Sequence, residues 1–283
     1  MSATITAADV NKLRQTTGAG MMDCRKALVE SEGDFEKAID YLRKKGQKVA
    51  ANRSDREAKE GVVIAKANPD GNYGIVLQLS SETDFVAKNA EFIDFANELA
   101  ALAEQNMPTD IDALKALPMA GATVGDKLLE MVAKIGEKID VVRYEQVSAD
   151  AVIAYIHGNY RIGVLVGLNQ ANQNDVQLNA GRDVAMQIAA MNPLGLNHES
   201  IEPAVIERER GIVMDQMKTD PKMAGKPDDM IAKVAEGKLN AFFKENTLMA
   251  QAFVKDNGKS VADYLKGIHQ DLTVTQFVRV AVG

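Results

Sequence analysis

Three histidines, one cysteine and scattered carboxylates are the side chains here that could move protons, attack an electrophile or hold a metal. His157, His198 and His269 lie far apart, and none has a second His or Cys at metal-ligand spacing. A zinc or iron centre is therefore not expected. No Gly-x-Ser-x-Gly elbow is present. Cys24 sits between Met22 and Leu28 in a helical pattern, where a small packed thiol is expected rather than a nucleophile. Gly18-Ala19-Gly20 invites a phosphate-loop reading. However, Asp23 takes the third glycine position, no Gly-Lys-Ser/Thr follows and no strand precedes it. It reads as a turn between helices. The expectation is a protein that acts by binding and not as an enzyme, with no cofactor, metal or small-molecule substrate.

The segment with most to offer a partner is Ser80-Ser81-Glu82-Thr83-Asp84-Phe85-Val86-Ala87-Lys88-Asn89, between an apolar strand and an amphipathic helix. Two readings fit it. In one, Thr83 or Asp84 caps the helix while Phe85 and Val86 enter the core. In the other, Phe85 stands on a loop tip beside a carboxylate, where the ring can fill a partner's pocket and the carboxylate can disturb a nearby cation or its ligands.

The chain around this segment has 283 residues, 46% hydrophobic and 26% charged, which suggests about two globular domains with a sizeable core. With no Trp and few aromatics, packing leans on aliphatic side chains and 13 Met. A net charge of −7 is the wrong sign for a phosphate-binding surface, so direct nucleic-acid binding is not expected. One cysteine excludes an internal disulfide and fits a reducing compartment. Residues Met1–Gln15 hold no apolar signal stretch, and the longest apolar run, Ile162–Leu168, is far short of the ~20 residues that span a bilayer. A cytoplasmic protein without membrane contact is expected.

Residues 1–46 read as three short helices. Thr6 and Asp9 supply a cap for the first, with Val10 and Leu13 as its apolar positions. The second runs from Met21 to Glu30. In the third, Phe35, Ala38, Ile39 and Leu42 form one stripe. The charged segment 47–61 reads as a linker or solvated helix. An internal repeat follows. Gly71-Asn72-Tyr73 precedes the strand Ile75–Leu79, and Gly158-Asn159-Tyr160 precedes the strand Ile162–Leu168. Helices built on Phe95, Leu99 and Leu102, and on Val184, Ile188 and Met191, come next. Val124–Leu128 leads to a strand at Val141–Tyr144, as Val261–Leu265 leads to one at Phe277–Val280. Each half reads strand, helix, helix, strand, so the fold class is α+β with two duplicated subdomains, 62–150 and 151–197 with 259–283. Residues 198–258 interrupt the second as an inserted helical hairpin, Pro203–Lys218 and Pro227–Lys244, joined by the turn DPKMAGKPDD. Ile206, Val213 and Met217 are expected to face Ile231, Val234 and Leu239.

Thr83-Asp84-Phe85-Val86-Ala87-Lys88 after a strand resembles the signature of the elongation factor Ts family. So do Thr16–Leu28 (TTGAGMMDCRKAL), Ala133-Lys134-Ile135-Gly136-Glu137, and His157-Gly158 followed by Arg161–Leu165. The likeness runs in family order from residue 3 to residue 283. It implies a ubiquitin-associated-like three-helix domain, a two-subdomain core and a protruding helical hairpin. It also implies a guanine nucleotide exchange factor that binds elongation factor Tu·GDP, displaces Mg²⁺ and releases GDP. Thr83, Asp84, Phe85 and Val86 would then enter beside the GTPase switch region, with Phe85 the wedge and Asp84 its polar companion. Arg14, Met21, Met22 and Arg25 would touch the GTPase domain, Ile135, Gly136 and Glu137 would support, and His157 would face the GTPase's third domain. The bland alternatives are core filling for the methionines, of which at least one is expected outside, and a solvated loop for His157. Family members often continue into a C-terminal helical module, whereas this sequence stops at Val280-Ala281-Val282-Gly283: either the module is naturally absent or the contact is weaker here. Two other functions fit the composition: a peptide-binding adaptor built on the first three helices, and an enzyme using the groove between the repeats with Glu82 and Asp84 as acid and base.

Overall fold

The computed structural model describes residues 5–171, 174–221, 223 and 226–283. Met1–Thr4, and Lys222, Ala224 and Gly225 of the expected hairpin turn, lie outside the described residues. The chain opens with α1 (Ala7–Thr17), α2 (Met21–Glu30) and α3 (Phe35–Asn52), followed by β1 (Glu60–Ala67), β2 (Tyr73–Ser81), the single turn α4 (Asp84–Ala87), α5 (Ala90–Asn106) and α6 (Ile111–Ala116). A two-residue ribbon, β3 (Pro118–Met119) and β4 (Ala122–Thr123), leads to α7 (Val124–Ile135) and β5 (Asp140–Ser148). Then come β6 (Ala151–His157), β7 (Ile162–Leu168), α8 (Asp175–Met191), α9 (Pro203–Thr219) and α10 (Asp228–Asn246). The ribbon β8 (Ala252–Phe253) and β9 (Asp256–Ser260), α11 (Val261–Ile268) and β10 (Val274–Ala281) complete the described elements. The protein mixes helix and strand, as the alternating apolar periods require.

Local chemistry sets the first three helices. Thr6 Oγ1 accepts the Asp9 N–H at 3.3 Å while Asp9 Oδ2 accepts the Thr6 N–H at 2.9 Å, a reciprocal cap on α1. Asp34 caps α3 by accepting the Lys37 N–H at 3.1 Å. Leu13, Cys24, Ala27, Leu28 and Ala38 are fully buried between the helices, with Phe35 and Ile39 packed at the edge. The charged segment 47–61 begins as helix, because α3 continues through Asn52, with Val49 and Ala50 against the neighbouring core. Gly46 permits this: a Cβ there would lie 2.8 Å from the Leu129 carbonyl oxygen of α7.

Two three-stranded antiparallel sheets follow, ordered β1-β2-β5 and β10-β7-β6. Each half contains one strand more than the expected pattern, β1 and β6, and the two Gly-Asn-Tyr runs lie at the hairpin turns that join these strands to β2 and β7. Helices α5 and α7 cover the first sheet, α8 and α11 the second. The inner faces meet through Val63, Val76, Val147, Val152, Leu165 and Val280. β2 is buried along its whole length, so its apolar residues Ile75–Leu77 do not alternate and Gln78, Ser80 and Ser81 are buried with them.

α9 and α10 close on each other through Val213, Met217, Ala235 and Leu239, with Ile231 and Val234 beside them, while Ile206 lies outside this cluster. The excursion starts and returns at one point. The Leu194 N–H donates to the Asn246 carbonyl at 2.8 Å and the Leu248 N–H to the Gly195 carbonyl at 2.9 Å.

The two sheets approach most closely at Gly163, where a Cβ would stand 2.5 Å from Val63 Cγ1 and 2.9 Å from Val76 Cγ2. Gly163→Ala is expected to lower stability by about 1–3 kcal/mol through overpacking. Gly237→Ala, in α10 with open space around it, should raise stability by about 0.5–1 kcal/mol. Urea unfolding midpoints of the two variants check the contrast.

Candidate functional site

β2 delivers the chain to Ser81, whose hydroxyl donates to the Thr83 carbonyl at 3.0 Å. Thr83 then caps α4, its Oγ1 accepting the Val86 N–H at 3.4 Å, and Asn89 caps α5 through the Glu91 N–H at 2.9 Å. Successive residues in one helical turn point about 100° apart, so they cannot all face the core. Val86 packs against the first core and Ala87 is buried, whereas Phe85 is 82% exposed. Both sequence readings are thus partly realised: Thr83 is the cap and Val86 turns inward, but the ring stands in solvent. Asp84, also outward, is bonded at 2.6 Å by Lys88 one turn on, and that bond holds its carboxyl below the usual carboxylate range.

The turn is held from below by two carboxylates that exchange partners. Glu137 Oε2 accepts the backbone N–H groups of Glu82 and Thr83, both at 3.0 Å, and Glu137 Oε1 accepts the Thr83 hydroxyl at 2.7 Å. In return Glu82 Oε1 accepts the Lys138 N–H at 2.6 Å and Arg53 Nη1 at 2.8 Å, and Glu82 Oε2 accepts Arg56 Nη1 at 3.0 Å. Gly136, at φ 80°, ends α7 in the left-handed conformation and turns the chain into Glu137. Burial alone would raise the Glu82 pKa, its side chain being 13% exposed. The Lys138 N–H and the two guanidinium groups outweigh that and bring it to about 2.

The other expected residues lie on the flanking elements. Met21 and Met22 are 53% and 73% exposed, so both stand outside the helical core, beside exposed Arg14 and Arg25. Met21, Met22 and Arg25 line a shallow groove with Ile5, Val10 and Asn11. Ile135 is half-buried against the first core. Lys134 lies beside Gly18 at the end of α1 and also bonds Glu91 at the start of α5, so the end of α7 stands between the helical face and the Phe85 turn. His157 is exposed at the end of β6, its Nδ1 2.9 Å from the Tyr155 hydroxyl, and residues 158–161 share a groove with Asp84 and Lys88. The Tyr160 carbonyl accepts the Val63 N–H at 2.8 Å, which fixes that turn.

The structure adds Arg53, Arg56 and Lys138 to the residues singled out from the sequence. Arg53 and Arg56 were hidden in the charged segment, in the turn that follows α3. Glu82 is committed to the arginines and Lys138, and Asp84 to Lys88. Among the described residues no group of three or more His, Cys, Asp or Glu is placed to hold a metal, and no helix is long and apolar enough to cross a membrane.

A carboxyl whose folded pKa lies below its unfolded value stabilises the fold fully above that unfolded value. The contribution is lost as pH falls through the folded one. For Glu82 the window runs from about pH 4.5 down to about pH 2. Glu82→Gln is therefore expected to cost on the order of 2–3 kcal/mol at pH 7 and to flatten the acid limb over that window, read from urea unfolding at a series of pH values.

The family described as "Elongation factor TS" has a sequence model that matches residues 82–283. Elongation factor Ts of Christiangramia forsetii is 50% identical over 281 residues, covering 99% of this chain and 100% of the relative. That of Amoebophilus asiaticus is 48% identical over 279 residues, covering 99% of each. At a greater distance, elongation factor Ts of Alkalilimnicola ehrlichii is 42% identical over 281 residues, 99% of this chain and 92% of its own length. With the match running through the Thr83–Lys88 turn and relatives aligned over nearly every residue, the chain belongs to the elongation factor Ts family of translation elongation factors.

Proposed function

We propose that this chain is a cytoplasmic guanine nucleotide exchange factor of protein synthesis, acting on elongation factor Tu·GDP by binding and not by covalent chemistry. The observation that carries the reading is Phe85, an aromatic ring 82% exposed on a turn pinned by three hydrogen bonds that Glu137 accepts. A large apolar side chain held rigidly in water is the form of an interface anchor, since little entropy remains to be lost on docking. Phe85 would act as the wedge and Asp84 as the group that disturbs the Mg²⁺ site, with Thr83 and Val86 as their base. Arg14, Met21, Met22 and Arg25 would grip the GTPase domain, Ile135 and Gly136 would support them, and His157 would meet its third domain. Glu137 would act mainly by positioning the turn.

The energetics need no proton transfer. Mg²⁺ and the switch loops hold the nucleotide. A factor that binds best when those contacts are broken weakens nucleotide affinity, and nucleotide weakens the factor equally. GTP binding then expels it. In the same reading α1–α3 form a ubiquitin-associated-like domain, and the two sheet-and-helix halves are duplicated subdomains, 62–150 and 151–197 with 259–283. Residues 198–258 are the inserted hairpin. Partners other than the GTPase (nucleic acid, membrane, small substrate) are not part of it.

Elongation factor Tu loaded with fluorescent GDP, mixed with substoichiometric protein and excess unlabelled GDP, should release the label at a rate proportional to the protein added. Absence of acceleration by folded protein would sink the reading. Phe85→Ala should remove ~2–4 kcal/mol of interface energy and slow exchange more than ten-fold, with stability within about 0.5 kcal/mol of the parent. Normal exchange by this variant would show that the ring is no wedge. Glu137→Ala, which frees two backbone N–H groups and the Thr83 hydroxyl, should lower the maximal exchange rate roughly ten-fold by loosening the turn. Stopped-flow traces at saturating Tu·GDP read this directly.

A further inference from the structure

Arg53, Arg56, Glu82 and Lys138 form an ionic cluster that the exchange reading does not use. The cluster joins three segments: the turn that ends α3, the entry to α4, and the connection from α7 to β5. Each Glu82 oxygen takes a different arginine, at 2.8 Å and 3.0 Å, and Lys138 Nζ donates back to the Ser54 and Arg56 carbonyls at 2.6 Å and 3.1 Å. The turn is thus gripped at both its side chains and its backbone.

We propose that this cluster is a positioning clasp that holds the face carrying Met21, Met22 and Arg25 at a fixed separation from Phe85, so that both meet one partner in a single encounter. The partner's identity rests on the exchange reading; the mechanical claim does not. α3 packs on α7 from Leu42 and Arg43 through Gly46 to Ala50, and a helix attached along one neighbour alone can still pivot on that contact. Arg53 lies about two helical turns beyond Gly46, roughly 10 Å along the axis, so a second attachment there removes the pivot. Stability explains the Glu82–Arg53 contact but not the Arg56 one, because Arg56 is 57% exposed and exposed ion pairs contribute little. Two contact surfaces at a fixed spacing make the second contact effectively intramolecular. Glu137 holds the Phe85 turn through bonds that involve neither arginine, so loosening the clasp leaves the wedge itself shaped.

The test compares Arg53→Gln/Arg56→Gln with Arg53→Lys/Arg56→Lys, both shown folded by circular dichroism. With elongation factor Tu·GDP, the glutamine pair should raise the half-saturating concentration about ten-fold while the maximal rate stays within about two-fold. The lysine pair, which keeps the charges, should recover most of that loss. A second arm needs no partner: spin labels at Glu30→Cys and Glu98→Cys report the separation of α2 from α5, Cys24 being wholly buried and out of reach of the label. The glutamine pair should broaden that distance distribution. An unchanged distribution, or an unchanged half-saturating concentration in a folded variant, overturns the clasp. If the parent protein fails to accelerate GDP release, the exchange reading fails, and the spin-label arm still decides the clasp.

Discussion

Two carboxylates facing in opposite directions across one junction govern the geometry of the site. Glu137 closes the backbone of residues 82 and 83, and Glu82 closes the backbone of residue 138. Neither loop has a sheet or helix partner for those N–H groups, and buried amides left open would cost more than the bonds return. Because each carboxylate serves the other's loop, the two loops cannot move independently. Everything exposed on them inherits that stiffness, including the Phe85 ring.

The body beneath supplies a platform for this junction. β2 runs through the middle of the first sheet, packs on α5 outside and on the second sheet inside, and ends where the turn begins. α7 likewise ends at Gly136 where Glu137 must appear, and its other flank receives α3 through the missing side chain of Gly46. The helical unit, the turn and the second hairpin therefore converge near the end of α7. Phe85 on the turn and Met21 and Met22 on the helical unit are large apolar side chains left exposed on these elements.

Local pattern in the sequence carries much of this. The α1 cap is written in Thr6 and Asp9, the limits of α2 in the glycines around it, and the α3 stripe in a spacing of three and four. β7 is an uninterrupted apolar run. β1 and β6 were missed because their apolar runs adjoin charged or turn-rich segments and their pairing depends on a neighbour's register. At the site, the segment from Thr83 to Val86 stood out by composition, but which of its side chains faces water is decided by a four-residue helix that no periodicity can reveal. Arg53, Arg56 and Lys138 were invisible for another reason: their target, Glu82, is 26 to 56 residues away in the chain. Ionic contacts of that separation leave no trace in local pattern. The resemblance pointed to Glu137 without giving its inward orientation.

The excursion that carries α9 and α10 leaves the body at Leu194–Gly195 and returns at Asn246–Leu248, with the two ends hydrogen-bonded to each other. To the rest of the molecule it is a closed loop of nearly zero span. β7 and β10 are distant in sequence, yet the pair that must close the second sheet is separated by far less effective chain once this excursion has folded on itself. Lengthening or shortening it by whole helical turns leaves the positions of its two ends, and hence the sheet, where they are. It is an appendage whose size evolution can vary without renegotiating the core.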